Sequence, residues 1–379
     1  MRLKNLIDIE KKYQNQSINI LLRCDLNITE NDFSRIDLSV PTIKKLLKFK
    51  FVNKVIICSH LGRPKGQDNV FSLAHNVLPE LEKKISNKIE FLNYEEDLKF
   101  SNFYSSSSRL FLLENIRFFN GEETNDKDLN IFLSSLCDVF INDAFGASHR
   151  KHSSVYGVSF FIDSYAGILL ENEYKVLEEI SSSKKNNSVL ILGGAKIQDK
   201  SGILINLVDK VDKIIIGGGM ISNFLQDKLS NDLFKIFDKN REKFYIPEDL
   251  LVSETLMPDS KTEVINSDEY HESFKILDIG NRSLKSINKI LDNMQIVLWN
   301  GSMGIFEWEH CSIGTRGLLE ILESNKNLKT FSGGGSTIEA INRFSNKSSF
   351  EHVSSGGGAF LEMLEKGVLP GMKNLFINE

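Results

Sequence analysis

The 379-residue sequence predicts an α/β fold, doubly wound and repeated in two halves. Two observations carry that prediction. Short apolar runs rich in β-branched residues recur along the chain, each followed by a turn or glycines and then by an amphipathic stretch. Within each run the apolar residues are continuous rather than alternating, the pattern of parallel strands buried on both faces. Strands of this kind alternating with helices give parallel sheets covered by helices on both sides.

In the first half the runs occupy residues 18–27, 54–66, 109–118 and 138–154, with a helix expected to begin near Pro41. In the second half they occupy 188–196, 213–220, 274–280, 295–304, 328–337 and 350–359, and residues 201–212 suit a crossover helix. Between the halves, residues 167–181 have helical periodicity and run into a polar Ser/Lys/Asn cluster that reads as a loop. This segment is taken as the interdomain helix. It divides the chain into a first domain, 1–166, and a second, 167–366.

Composition removes several function classes. Net charge is −5, too mild for a nucleic-acid binder. No apolar run approaches the roughly 20 residues of a membrane span, and the opening MRLKNLIDIEKKYQ has no signal-like apolar core. The four cysteines, Cys24, Cys58, Cys137 and Cys311, lack the spacing of a zinc or redox motif, which points to reduced thiols and a cytoplasmic location.

The placement of glycine and arginine is more telling than their totals. Thirteen of the 25 glycines fall in five strand-end loops of the second half: GGAK, GGGM, NGSMG, GGGST and GGGA. Glycine lets backbone approach a ligand closely, and the helix N-termini beyond parallel strands favour phosphate. With Lys196 and Lys200 alongside, these loops point to a bound polyphosphate. GAKIQDKS misses the phosphate-loop motif because Asp199 takes the second glycine's place, and no GxGxxG is present, which argues against a dinucleotide oxidoreductase. In the first half the strand ends carry Asp25 and Asn27, His60 and Arg63, Arg117, then His149, Arg150 and His152, with Arg35 ahead of the expected helix. Seven of 11 arginines lie in the first 150 residues. Such a set suits a small acid bearing carboxylate and phosphate. His75, His271 and His310 receive no role. A nucleotide half and an anion half together suggest a two-substrate phosphoryl transferase that closes around its ligands.

The segments RCDLN, SHLGRPKG, LLENIRF, INDAFGASHRKHSS, LGGAKIQDK, DKVDKIIIGGGM, WNGSMGIFEWE, FSGGGST and SSGGGAFLEMLEKGVLPG occur in an order that resembles the phosphoglycerate kinase family essentially end to end. The resemblance implies two Rossmann-like domains facing across a hinged cleft, with 367–379 returning to the first domain. It implies reversible phosphoryl transfer between 1,3-bisphosphoglycerate plus ADP and 3-phosphoglycerate plus ATP in glycolysis. Mg²⁺ would be bound with the nucleotide, and the enzyme would be a monomer acting on small molecules, with no nucleic-acid or membrane partner. The substrate site would comprise Asp25, Leu26, Asn27, Arg35, His60, Leu61, Gly62, Arg63, Arg117 and Arg150. The nucleotide site would comprise Lys196, Lys200, Gly217, Gly218, Ile276, Leu277, Asn300, Glu307, Gly333, Gly334, Gly335 and Ser336. Arg35, Lys196, Lys200, Gly335 and Gly358 would act in catalysis, and no residue is assigned as a metal ligand.

Two departures bear on that expectation. Ser336 stands where the family usually has the aspartate of GGGDT, and serine is a poor carboxylate substitute for a hard cation. Ile276 stands where a glycine usually lines the adenine slot. Thr29 and Ser302 also replace common loop prolines. These motivate an alternative reading: a catalytically impaired relative acting as a nucleotide or phosphoglycerate sensor or scaffold. Retention of Lys196, Lys200 and Arg35 favours the enzyme.

Overall fold

The computed structural model describes residues 2–28, 32–93, 101–182 and 187–377. Thr29 and residues 183–186 of the expected polar loop lie outside them. The chain divides into two compact units, Met1–Lys175 with Val368–Glu379, and Val176–Gly367.

In the first unit, β1 (Ile18–Arg23), β2 (Val52–Cys58), β3 (Glu90–Leu92), β4 (Leu110–Leu113), β5 (Val139–Asn142) and β6 (Asp163–Ala166) form one parallel sheet ordered β3-β4-β2-β1-β5-β6. Side chains alternate across a strand, so the continuous apolar run of β1 feeds two cores. Ile20 and Leu22 join Val55 and Ile57 on one face, while Leu21 joins Ile56, Phe111 and Phe140 on the other. Strands β3 and β6 extend the four anticipated runs at the two edges. Residues 368–377 complete this unit. The Lys4 amide donates to the Leu375 carbonyl at 2.7 Å, Ile377 to Arg2 at 2.9 Å, and Gly371 to Ser148 at 2.8 Å.

The helix Ser34–Lys48 starts earlier than the sequence suggests, and Pro41 lies inside it. Arg35 therefore sits in its first turn, where Asp32 Oδ1 accepts from the Ser34 amide at 2.9 Å. Pro41 carries no N–H, so the helix gives up one backbone bond there and still runs on to Lys48. The interdomain helix spans Ile168–Ser182. Thr42 Oγ1 accepts its Ile168 amide at 3.0 Å, and the buried Asp143 carboxylate accepts Leu169 at 2.8 Å.

The second unit holds a parallel sheet of β7 (Ser188–Leu192), β8 (Lys213–Ile216), β9 (Phe244–Tyr245), β13 (Ile296–Asn300), β14 (Lys329–Ser332) and β15 (His352–Val353), ordered β15-β14-β13-β7-β8-β9. A separate antiparallel sheet is built from β10 (Asp249–Ser253), β11 (Glu263–Asn266) and β12 (Lys275–Ile279), ordered β11-β10-β12. The run at 274–280 is thus not a strand of the main sheet, whose sixth member is the two-residue β9. A short apolar run bounded by turns looks the same in either setting, because its burial and not its partner's direction shapes the sequence.

Candidate functional site

In the first unit the predicted groups meet at the carboxyl ends of the strands. Asp25, just past β1, is buried and ion-paired with Arg35 Nη1. That pair needs Gly146: a Cβ there would stand 2.4 Å from Asp25 Oδ2. Asn27 Oδ1 accepts the Gly62 amide at 2.8 Å, and the Gly62 carbonyl accepts from Arg117 Nη1. Gly62 has φ +61° and faces the Phe71 ring, so this turn both favours and has room for glycine only. Leu26 and Leu61 are buried and spend their amides internally, on Ser59 Oγ at 2.9 Å and Asn115 Oδ1 at 3.3 Å. They shape the loops rather than offer donors.

The Arg117 side chain is 5% exposed, with Nε 3.3 Å from Glu123 Oε1. Burial pulls its pKa down, with Arg150 and Arg23 adding to the effect and Glu123 opposing it. Arg150 donates from Nε to His149 Nε2 at 3.3 Å. His60 is buried, and that burial, reinforced by Arg23, Arg117, Arg150 and Arg35, holds its pKa well below the usual imidazole value. His152 is likewise lowered to about 4, chiefly by burial and by Arg150. Arg63 stands apart: it is exposed and bonds to none of the described residues.

In the second unit a cavity of about 650 Å³ is lined by Gly218, Ile276, Leu277 and Glu307 from the predicted set, together with Tyr270 and Phe274, which the sequence reading missed. Gly217 lies behind the wall, where a Cβ would meet Met303 at 2.6 Å. Gly194 and Ala195 also line the cavity, and a Cβ on Gly218 would stand 2.6 Å from the Gly194 nitrogen. The glycines there allow two loops to touch: a Cβ on Gly193 would stand 2.0 Å from the Ser302 carbonyl oxygen, and one on Gly301 would stand 2.2 Å from that of Gly193.

Beyond Gly194, Lys200 Nζ donates to Asn300 Oδ1, and the buried Asn300 donates from Nδ2 to the Gly333 carbonyl. Burial lowers the Lys200 pKa, with Asp199 opposing the shift. Gly334 has φ +99° and packs on Asn300 Nδ2. It precedes the helix Gly335–Phe344, whose N-terminus has no side-chain cap. The helix Gly357–Lys366 is likewise uncapped, and its Phe360 ring packs on Gly333. A Cβ at Gly335, Gly357 or Gly358 would meet nothing within 4 Å, so free amides border open space at both helix starts. Ser336 is half-buried on the first turn, and Lys196 is exposed. Among the described residues no group of three or more His, Cys, Asp or Glu side chains is placed to hold a metal ion.

The sequence reading also missed Arg23, Glu122 and Ser154, which lie buried behind His60, and Gly146. Arg23, Gly146 and Ser154 stand inside quoted segments but were not singled out, and Glu122 stands in none.

The protein-family model described as phosphoglycerate kinase matches residues 10–367. The phosphoglycerate kinase of Helicobacter hepaticus is 35% identical, over 98% of this chain and 96% of the relative. That of Helicobacter pylori strain J99 is 36% identical, over 97% and 95%. A solved structure of phosphoglycerate kinase from Coxiella burnetii superposes with a TM-score of 0.86 at 31% identity, covering 99% of each chain.

Proposed function

The chain belongs to the phosphoglycerate kinase family and is a phosphotransferase of glycolysis, and from that premise we propose which of its residues do the work. The first unit takes the phosphoglycerate: Asp25 and Asn27 receive hydroxyl and carboxyl oxygens, and Arg35, His60, Arg63, Arg117 and Arg150 surround the anionic groups. The second unit takes the nucleotide. Gly218, Ile276 and Leu277 border the base, Glu307 meets the ribose, and Lys196, Lys200, Asn300, Gly333, Gly334, Gly335 and Ser336 serve the phosphate end.

One observation supports this most directly. Gly194 lines the cavity of about 650 Å³, and next to it Lys200, Asn300 and Gly334 form a bonded and packed path to an uncapped helix N-terminus. A base slot leading to a lysine and free amides is the shape a nucleoside polyphosphate needs.

The attacking group is a substrate carboxylate, already ionised at neutral pH, so no general base is required. The protein must hold acceptor and phosphoryl group in line and neutralise charge on the equatorial oxygens. Arg35, Lys196, Lys200 and the amides at Gly335 and Gly358 supply that charge. The depressed pKa of Lys200 reflects desolvation, which strengthens its pull on a phosphate oxygen. Mg²⁺ bound with ATP or ADP would supply charge neutralisation at the phosphates, and Ser336 would offer it a hydroxyl and no carboxylate.

The scattered free cysteines support a cytoplasmic location and the net charge of −5 speaks against nucleic acid, while family membership supports a monomer acting on small molecules. Among the described residues no helix is long and apolar enough to cross a membrane.

A coupled assay with ATP and 3-phosphoglycerate tests the reading. Turnover should be robust, and Lys200→Ala and Arg35→Ala should each lower kcat by roughly 10²-fold, the scale of losing one preorganised donor. Full kcat in either variant would remove that residue from the catalytic set. No turnover at saturating Mg²⁺ would favour the sensor reading motivated by Ser336.

A further inference from the structure

Arg23 is 1% exposed at the end of β1, and each of its three guanidinium nitrogens bonds to a group inside the protein. Nε donates to Ser154 Oγ at 2.9 Å, Nη1 donates to the Cys24 carbonyl, and Nη2 lies 3.0 Å from His60 Nδ1. A guanidinium has five donors and no acceptor. His60 Nδ1 must therefore be the acceptor of that last bond. A neutral imidazole that accepts at Nδ1 carries its one proton at Nε2, and among the described residues nothing hydrogen-bonds Nε2.

Arg23 is itself held in place. Ser154 Oγ, which accepts from Arg23, donates to Glu122 Oε1 at 2.7 Å, and the Ser154 amide donates to Glu122 Oε2 at 2.9 Å. Glu122 is 2% exposed, so its carboxylate is the buried counter-charge behind a cluster of cations. The order Glu122, Ser154, Arg23, His60 is a continuous buried chain that ends on a substrate-site ring.

We propose that Arg23 is a positioning residue, anchored by Ser154 and Glu122, that fixes His60 as the neutral tautomer with its proton on Nε2. This rests on the assignment of His60 to the phosphoglycerate site. His60 then offers the ligand one fixed N–H donor and adds no charge to a pocket already holding Arg35, Arg117 and Arg150. Those arginines and Arg23 surround the ring and, with burial, keep it uncharged through neutral pH. The ring's orientation also follows, because Nδ1 is pinned from the protein side.

The test begins with the unmodified protein, free of substrate. Histidine is labelled with ¹⁵N, and long-range proton–nitrogen spectra are recorded between pH 5.5 and 8. His60 should show the signature of Nε2–H with unprotonated Nδ1 throughout that range. An Nδ1–H signature, or protonation of both nitrogens within the range, overturns the proposal. This readout needs no turnover, so it stands or falls separately from the assigned activity.

Variants then test the anchoring. Arg23 is fully buried and its replacement could unfold the chain, so the variant is Ser154→Ala, with Ser154→Thr as the conservative control. Ser154→Ala should give a mixed or exchanging His60 tautomer and raise KM for 3-phosphoglycerate about tenfold, leaving KM for ATP unchanged; a tenfold change is ~1.4 kcal/mol. Ser154→Thr should restore both. An unaltered His60 spectrum in Ser154→Ala would remove Ser154 and Glu122 from the chain, and equal changes in both KM values would mark the effect as merely structural.

Discussion

At the scale of the residue, the clearest contrast is between Asp25 and Gly146. Asp25 was legible because a carboxylate past a strand end, in a half rich in arginine, signals its own chemistry. Gly146 was quoted but not singled out, since its requirement comes from a neighbour distant in sequence: a Cβ there would stand 2.4 Å from Asp25 Oδ2 and 3.7 Å from Arg35 Nη1. Gly146→Ala should therefore displace the Asp25–Arg35 pair. The expected result is a rise of roughly tenfold or more in KM for 3-phosphoglycerate with KM for ATP unchanged, read from initial rates. Arg23 was hidden for another reason. A strand-end arginine beside Asp25 has the same sequence appearance whether it meets a ligand or is buried behind one.

Elements were read with uneven success, and the physics of burial explains where. The continuous apolar runs of β1, β2, β7 and β13 were plain, because strands covered on both faces must be apolar throughout. The edge strands β3 and β9, of three and two residues, are too short to show a period. The run containing β12 was visible as a strand but not as part of an antiparallel sheet. That placement matters, because β12 carries Ile276 and Leu277 to the cavity wall and then Asp278 inward. Asp278 accepts the Gly314 amide at 2.7 Å and the Ile279 amide at 2.9 Å, tying β12 to the helix Ile313–Ser324. Burial outweighs these bonds and pushes its pKa up to about 7. The folded protein thus keeps a proton that the unfolded chain releases near 3.8, and stability from this group falls as pH rises from 3.8 to about 7. Asp278→Asn should flatten that part of the Tm–pH curve; an unchanged slope would show that Asp278 ionises normally in the fold. The start of the helix Gly335–Phe344 gives a second prediction. Ser336→Asp places a carboxylate on an uncapped first turn, so calorimetry should show MgADP binding tightened several-fold relative to metal-free ADP, with a dipole contribution of ~0.3–1 kcal/mol to helix stability.

Across the whole molecule, the partition of glycine and arginine between two halves was the most legible feature, because ligand charge selects residue types before it selects geometry. How the chain closes on itself was visible only through family resemblance. Residues 368–377 bury Leu369, Met372, Leu375 and Phe376, but their place on the first unit is fixed by backbone bonds to Arg2, Lys4 and Ser148 and by Asn142 Nδ2, which donates to the Gly371 carbonyl at 3.0 Å. Bonds of that kind leave no mark in composition. Asn142→Ala should cost about 1–3 kcal/mol, and hydrogen exchange should quicken at Lys4 and Gly371 while amides of β13 and β14 stay protected. The same closure sets an order of events at the ribosome. The first unit begins to emerge at once, but the pieces that cover its last backbone groups emerge only after all of Val176–Gly367 has been made. A chain released early would therefore carry a complete second unit beside a first unit whose Lys4 amide, Ser148 carbonyl and Asn142 Nδ2 lack their C-terminal partners.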